Sequence, residues 1–432
     1  MLSKLYEEQW RRRGVLVKMK LPEELVILIL VLLPVKSLLR LKCVCKHWLS
    51  VIQSRHFIES HYRLSDTRRD RFLCYSKHPV TKTYVISVVD RHTFEELEDL
   101  EWPPFFQEEG VEYPEWPCLD ENPKWPPFWK EEGIELNEIS HRRIKIFGPV
   151  NGIYCIFRSL IDKWVGTLTL WNPATREYKH IHPQVCFPES FNIGFGFDHT
   201  TNDYKVVVIC QWGDFDTGED QHWHLRVYNH ASDTWRIVYF LNSVDDPHPA
   251  FEGLDPPFPL LISDPPVSHC LRNGVFHWAC CKSNDCYNIL AFDMTSEALH
   301  LMKGPPLPTN FPLYWSVWEL KDTIAGISSH YLDYPSSEDV EVWMMMEYGV
   351  ENSWAKMFKF RGINGWSPVG IPYDDRVFFD DQNGQLVSLG MDDDYCVKKH
   401  RMYGMRGSTS HGICGSLGIL KYVETLTTLK PV

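Results

Sequence analysis

Residues 21–63 read LPEELVILILVLLPVKSLLRLKCVCKHWLSVIQSRHFIESHYR and decide the character of the N-terminal region. Leu21-Pro22 followed by Glu23 and Glu24 opens a helix well. Proline needs no donor in the first turn, and the two acids face the positive end of the helix dipole. An apolar run from Leu25 to Leu33 stops at Pro34, which cannot continue a helix. From Lys36 to Cys45, Leu38, Leu39, Leu41 and Val44 fall at helical spacing, with Lys36, Arg40 and Lys42 on the other side. Trp48, Ile52 and Phe57 extend the apolar pattern through a third short element. Three short helices make a small core. The first is apolar nearly all round, so it needs a partner surface as well as its own core.

Other readings of this stretch fit less well. A secretory signal would use Arg11 to Arg13 ahead of the apolar run, but acids abut that run and no small-residue cleavage site follows. A membrane span needs roughly 20 apolar residues, and this run is about half that. An ordinary pair of core helices leaves the outer face of the first helix unexplained. The spelling LPxELVxxILxxLPVKSLLRLKCVCKxW closely resembles the plant form of the F-box. The resemblance implies a helical module that docks a Skp-type adaptor and, through it, a cullin scaffold and a ubiquitin-charged enzyme. Expected contacts are Leu21, Pro22, Leu25, Ile29, Leu33, Pro34, Leu38 and Leu41, with Trp48 and Ile52 closing the module's own core. Leu32 departs from the basic or polar residue common in relatives and alters the helix surface. Met19 stands where relatives of this family begin. Residues 1–18 match nothing in the resemblance and are read as a disordered extension or an artefact of gene prediction.

A chain of 432 residues suits one small module and one large domain, and 17 tryptophans with 44% apolar residues can fill a sizeable core. The 13 cysteines are scattered singly, which fits a reducing cytoplasmic or nuclear setting better than a disulfide framework. A net charge of −13 argues against nucleic-acid binding. That charge is segregated. Residues 95–138 hold 15 acids against Lys124 and Lys130, whereas residues 1–63 carry a net +7.

After residue 63 helical periodicity gives way to short alternating runs separated by Asn, Asp, Gly and Pro turns. VISVVDRHTFEEL, LTLWNPATREYKHI, LRVYNHASDTWRIV, ILAFDMTSEALHLM and VEVWMMMEYGVENSWAKMF each give strand, polar turn and strand. LVSLGMDDDYCVKKHRM is a weaker sixth. Their turns begin near Asp90, Asn172, Asn229, Asp293, Glu347 and Asp392. Repeats of this length, built from antiparallel strands, predict an all-β propeller-like domain of about six units. Trp171, Trp235, Trp278, Trp343 and Trp354 are expected to pack between its blades. Asn151-Gly152, Asn273-Gly274 and Asn383-Gly384 supply the positive φ angles of tight hairpins. GFGF at 194–197 is followed by no helix pattern and fails as a nucleotide fingerprint.

GPVNGIYCI, LWNPATREYKHI, GFGFDHTTNDYKVVVI, NGVFHWA, ILAFDMTSEALHLM and VEVWMMMEYGVENSWAKMF resemble, in that order, the F-box-associated domain of flowering plants. The wording is nearest to the S-locus F-box group. With the F-box, the resemblance spans about residues 20–425. It implies a small all-α F-box module at 19–63 and a propeller-like substrate receptor at 64–425. In the S-locus group it implies the pollen-side component that directs ubiquitination of non-self pistil ribonucleases in self-incompatibility. Two alternatives stand beside this: a receptor for an unrelated plant protein, and a stand-alone ligand-binding propeller.

Candidate catalytic and metal groups are weak. His222 and His224 share a strand face, but no third ligand lies at plausible spacing. His269, Cys270, His277, Cys280, Cys281 and Cys286 form the densest soft-ligand cluster. They lack paired zinc spacing, and adjacent Cys280 and Cys281 point to opposite strand faces. Cys43 and Cys45 lie on different faces of a helix, and paired acids such as Asp374-Asp375 and Asp380-Asp381 read as exposed turns. No serine sits in a nucleophile elbow. No metal, cofactor, membrane or nucleic-acid partner is expected, and the chain is read as non-catalytic. It would act by holding a target near a ubiquitin-loaded partner.

One local duplication stands out. WPPFFQEEGVE at 102–112 recurs as WPPFWKEEGIE at 125–135, inside an acidic insert at 98–138. The prolines disfavour helix and strand alike, so a protruding loop is expected. It is either a tolerated solvated insertion or an acidic-aromatic arm that grips a basic target, a ribonuclease among the candidates. The target-binding candidates are Trp102, Phe105, Glu108, Glu109, Trp125, Phe128, Trp129, Glu131 and Glu132.

Overall fold

A computed structural model describes residues 22–68, 70–77, 84–104, 142–160, 166–181, 191–212, 222–242, 270–282, 286–307, 313–321, 323–330, 339–363, 366–373, 375–381, 385–391, 397–403 and 417–430. They fall into two units. One is helical and combines the residues through Arg68 with Glu424–Leu426; the other holds Arg69–Val423 and the residues after Leu426. Residues 1–21 and 105–141, which include Leu21 and every arm candidate from Phe105 to Glu132, lie outside the described residues.

Among its described residues the helical unit has four helices, α1 (Glu23–Val31), α2 (Val35–Leu41), α3 (Lys46–Gln53) and α4 (Arg55–Arg68). The second is shorter than its apolar spacing suggests. It ends at Leu41, and Cys45 is extended and caps α3, its Sγ accepting from the Trp48 amide at 3.4 Å. The last element is longer than expected, because α4 runs through to Arg68 with Phe57 and His61 on its buried side. Leu30, Val35, Leu38, Ile52, Phe57 and His61 form the centre of the unit, each no more than 3% exposed. Trp48 is only half-buried at its margin.

The β unit is a six-bladed propeller. Five blades are consecutive four-stranded antiparallel sheets: β4 to β7 (Arg142–Val150, Ile153–Leu160, Gly166–Asn172, Glu177–Ile181), β8 to β11 (Phe191–Asp198, Asp203–Trp212, His222–Asn229, Thr234–Asn242), β12 to β15 (Cys270–Arg272, Val275–Lys282, Cys286–Asp293, Leu299–Lys303), β16 to β19 (Leu313–Leu320, Thr323–His330, Val340–Met345, Trp354–Phe360) and β20 to β23 (Ser367–Gly370, Arg376–Asp380, Gln385–Gly390, Val397–Tyr403). The sixth joins the two ends of the domain. β24 (Leu417–Lys421) pairs antiparallel with β1 (Arg71–Lys77), which pairs with β2 (Tyr84–Asp90) and then β3 (Glu96–Asp99). First strands of neighbouring blades adjoin: β4 lies beside β8, β12 beside β16, and β24 beside both β20 and β4. They ring the axis, and closure by β24 leaves few strand edges unpaired.

The repeated turns occupy one structural position, the link from third to fourth strand of a blade. Asp90 Oδ1 accepts from the amides of His92 and Thr93, both at 2.8 Å. Asn172 Oδ1 accepts from Ala174 and Thr175, and Asp293 Oδ1 from Thr295 and Ser296. Four residues on, Phe94, Arg176, Asp233 and Glu297 all take positive φ, which a short polar turn can hold in place. Near Asn229 the turn is held from another strand: Asp203 Oδ1 accepts from the Ala231 amide at 2.9 Å. The Glu347 turn differs, containing a short 3₁₀ segment, Glu351–Ser353. Asn151-Gly152 and Asn273-Gly274 have positive φ at both residues, as a type I′ hairpin requires. Asn383-Gly384 and Asp392 lie outside the described residues.

Packing between blades explains the GFGF stretch. A Cβ on Gly194 would stand 2.7 Å from the Trp278 ring, and one on Gly196 2.6 Å from Met294. The two glycines of β8 thus let the next blade press against the backbone. Trp278 also donates from Nε1 to the Ile193 carbonyl at 3.2 Å. Valine at 194 should therefore destabilise the chain by about 1–3 kcal/mol, the usual cost of overpacking. A fall in the urea midpoint at unchanged slope would show it. Trp171 and Trp354 are likewise buried, and Trp354 donates to the Lys303 carbonyl of the preceding blade at 3.0 Å. Trp235 and Trp343 are only half-buried, and Lys356 of the same blade lies 4.9 Å from the Trp343 ring centre.

One ionic cluster bridges two blades. Lys205 Nζ on β9 donates to Asp198 Oδ2 at 2.8 Å, the Met294 carbonyl at 2.6 Å and Glu297 Oε1 at 2.9 Å. Arg236 on β11 pairs with the same Glu297 carboxylate. Burial opposes ionisation of Asp198. Bonds from Lys205, Thr201 and the amides of Thr200 and Thr201 outweigh it and hold the carboxyl well below the usual range. Glu297 behaves likewise: burial works against its charge, and Arg236 and Lys205 lower its pKa overall.

Candidate protein-docking surfaces

Helix α1 has two apolar faces, and only one is used inside the helical unit. Leu30 is buried, and Val26, Ile27 and Leu33 are half-buried. Leu25, Leu28, Ile29 and Leu32 are 45%, 59%, 51% and 56% exposed. Their spacing of three, four and seven residues sets them along one stripe of the helix. Four large apolar side chains standing together in water are what a partner surface looks like. Val44, before α3, adds another at 61% exposed.

The helix is stopped and held from α4. His61, 2% exposed, bonds through Nε2 to the Leu33 carbonyl at 2.9 Å, and Arg68 donates to the Leu32 carbonyl at 3.1 Å. A carbonyl only accepts, so Nε2 carries the proton. Burial lowers the His61 pKa below its ordinary value, against the opposing pull of the Leu33 carbonyl and the Glu424 charge. The imidazole is therefore neutral near pH 7. Neither His61 nor Glu424 was legible as part of this surface, because histidine and glutamate at those positions carry no apolar signal.

The expected contacts divide by place. Pro22, Leu25, Ile29 and Pro34 are exposed; Leu33 and Leu41 are half-buried. Leu38 is 0% exposed and belongs to the interior as this unit stands. Leu28 and Leu32 were not among the expected contacts, although spacing from Leu25 places both on its stripe. Helical periodicity finds apolar positions but cannot say which of two apolar faces turns inward.

On the β unit, the arm is described only at its root. Trp102 donates from Nε1 to the Tyr84 carbonyl at 2.9 Å and packs against the core that includes Tyr75, Ile86 and Val88. Pro103 is buried. Trp102 is thus held onto the first blade and remains half-buried there. The propeller has two unlike ends. Links after first and third strands are short and cluster at one end, where β1 begins at Arg71 and β24 stops at Lys421. The three longest intervals between strands, 100–141, 243–269 and 404–416, each follow a fourth strand, and those strands, β3, β11 and β23, finish at the other end.

Among the described residues no three His, Cys, Asp or Glu side chains group as a metal site. His277 is 0% exposed and bonds the Tyr348 hydroxyl at 2.9 Å. Cys280, Cys74 and Cys155 are buried thiols outside any disulfide, and burial pushes the thiols of the last two upward. Cys43 and Cys45 are free and exposed. His269 lies outside the described residues, as do the side chains of His222 and His224. No helix among the described residues is long and apolar enough to cross a membrane.

Comparison with known proteins supplies the framework. Residues 130–424 match the F-box associated beta propeller domain, and residues 19–60 match the F-box domain. The F-box/kelch-repeat protein At3g23880 of Arabidopsis thaliana is 23% identical over 349 residues, covering 79% of this chain and 80% of its own. The F-box protein At3g08750 of the same plant is 24% identical, covering 75% and 69%. Among solved structures, TolB from Acinetobacter baumannii aligns over 81% of this chain and 71% of its own, at 10% identity and a TM-score of 0.41.

Proposed function

Because the chain belongs to the family of F-box proteins that carry an F-box-associated β-propeller, we propose that it is the substrate-recognition subunit of a cullin-type ubiquitin ligase. The observation that carries this reading is the exposed stripe Leu25, Leu28, Ile29 and Leu32 on α1, within the F-box match. Such a stripe suits an apolar, Skp-type adaptor. The propeller binds the target protein, by the end that carries the long links. The chain then works without chemistry of its own: it holds target lysines near a ubiquitin-charged enzyme and raises their effective concentration. A cytoplasmic or nuclear place of action follows from that partnership.

A basic protein is the target that the acidic insert favours, and pistil S-ribonucleases are the case suggested by the nearest wording. The insert's steering would act over a distance of roughly a Debye length, about 10 Å at 0.1 M salt. The test has two parts. Purified chain should retain a Skp-type adaptor in a pull-down; failure to do so removes the ligase reading and leaves a stand-alone binding propeller. Deleting residues 105–135, beyond the Trp102 anchor, should leave adaptor capture intact and weaken capture of a basic pistil ribonuclease, more at low salt than at high. Equal capture at low salt would reduce the insert to a solvated loop, and no capture by either chain would point to another target.

A further inference from the structure

We propose that Glu424–Leu426 is a built-in component of the adaptor-docking module, which is therefore complete only once the propeller's closing strand has been made and seated. The inference rests on the adaptor-docking reading above and adds a part that lies far outside the F-box match. Val35 opens α2, directly after Pro34, with no side chain of its own neighbourhood capping it. Its amide instead donates to Glu424 Oε2 at 2.8 Å, across 389 residues of chain. Val35 is 1% exposed, so without that carboxylate a buried donor would lose its partner. Thr425 is 0% and Leu426 3% exposed, and the Glu424 charge also acts on buried His61. The helical stretch 22–68 alone is small for an independent core, and these three residues are counted with it.

The segment is held on both sides. Before it, β24 pairs with β1, and the Tyr422 amide donates to the Arg71 carbonyl at 3.2 Å. After it, Asn172 Nδ2 donates to the Thr427 carbonyl at 2.8 Å, and the Leu429 amide to Glu177 Oε2 at 3.0 Å. One continuous stretch, 417–430, thus both closes the ring of blades and finishes the docking module. A chain with an unclosed propeller, unable to hold a target, would also present an unfinished adaptor surface. The arrangement selects for whole receptors at the ligase.

The experiment replaces Glu424-Thr425-Leu426 by Gly-Ser-Gly in the full chain, keeping β24 and residues 427–432. An unpaired buried donor costs about 1–3 kcal/mol, so affinity for purified Skp-type adaptor should fall by about 5- to 150-fold. In the same protein, amide hydrogen exchange over Val35–Leu41 should quicken by a similar factor while the β24 amides keep their protection. Glu424→Gln retains an acceptor and should stay close to the parent; Glu424→Ala should not. Unchanged exchange over Val35–Leu41 overturns the proposal, and so does loss of protection in β24, which would mean the segment serves the propeller alone. If the parent chain binds no adaptor, the ligase reading fails separately, and the exchange measurement still decides whether these residues complete the helical unit.

Discussion

Replacing Leu28 and Leu32 together by aspartate is expected to abolish adaptor binding while leaving the thermal transition of the chain in place. Both side chains are more than half exposed, so the fold loses little when they go. In a complex they would be buried, and interface anchors of this kind typically cost about 2 kcal/mol or more each when lost. That is roughly a thousandfold for the pair, before the added penalty of pressing two carboxylates against an apolar surface. Titration calorimetry with a purified Skp-type adaptor reads it directly. Leu38→Ala is the informative contrast. Leu38 is 0% exposed, so its truncation should act through stability, by about 2–5 kcal/mol of the helical unit. A double variant, Leu28→Asp with Leu32→Asp, that binds as the parent does would exclude the stripe as the docking face.

The second large effect concerns Lys205. Changing it to methionine leaves the Asp198 carboxylate, 1% exposed, without its main cation. Breaking one side of a buried pair costs about 3–5 kcal/mol, because the remaining charge stays desolvated. Urea unfolding at pH 7 should show a loss of that size. The pH dependence has a definite sign. Asp198 and Glu297 have depressed pKa values in the folded chain. Their contribution is therefore full above the ordinary carboxylate range, near pH 4, and fades as pH falls through the folded values. In the Lys205→Met chain Asp198 can simply take up a proton. The gap between parent and variant should accordingly narrow in acid. A gap that holds constant from pH 7 to pH 3, or one below about 1 kcal/mol at neutrality, would contradict the account.

Local chemistry made much of the propeller readable. Turns such as Asp90 to Phe94 and Asn172 to Arg176 announce themselves because a short polar side chain must bond its own backbone two and three residues on. Asn151-Gly152 is readable for a similar reason. The strand, polar turn and strand pattern recurs along the chain, so blade number followed from counting. What joins the blades followed only in part: tryptophans such as Trp278 and Trp354 were expected between blades, but their partners were not. Lys205, Asp198 and Glu297 look like ordinary surface charges until two blades meet, and nothing near Gly194 foretells a tryptophan more than 80 residues on. The docking surface divides the same way. The apolar character of α1 is written in its composition, whereas the choice of Leu38 for the interior and of Leu28 for water depends on where α4 lies. Glu424 is the extreme case, since its partner is at the opposite end of the chain.

The separation of short turns from long links has an evolutionary consequence. Turns that bond their own backbone are intolerant of length changes, but a surface link is not: doubling its length costs only about 0.6 kcal/mol of closure entropy. The duplicated 102–112 and 125–135 segments sit within such a link. On the proposed reading, receptors built on this plan would acquire new clients by copying or exchanging a few dozen residues, without retuning the frame or the adaptor contact. Grafting links 100–141, 243–269 and 404–416 from a relative would then carry over its client and leave its ligase partner unchanged, which would make diversity in this architecture inexpensive to generate and simple to transplant.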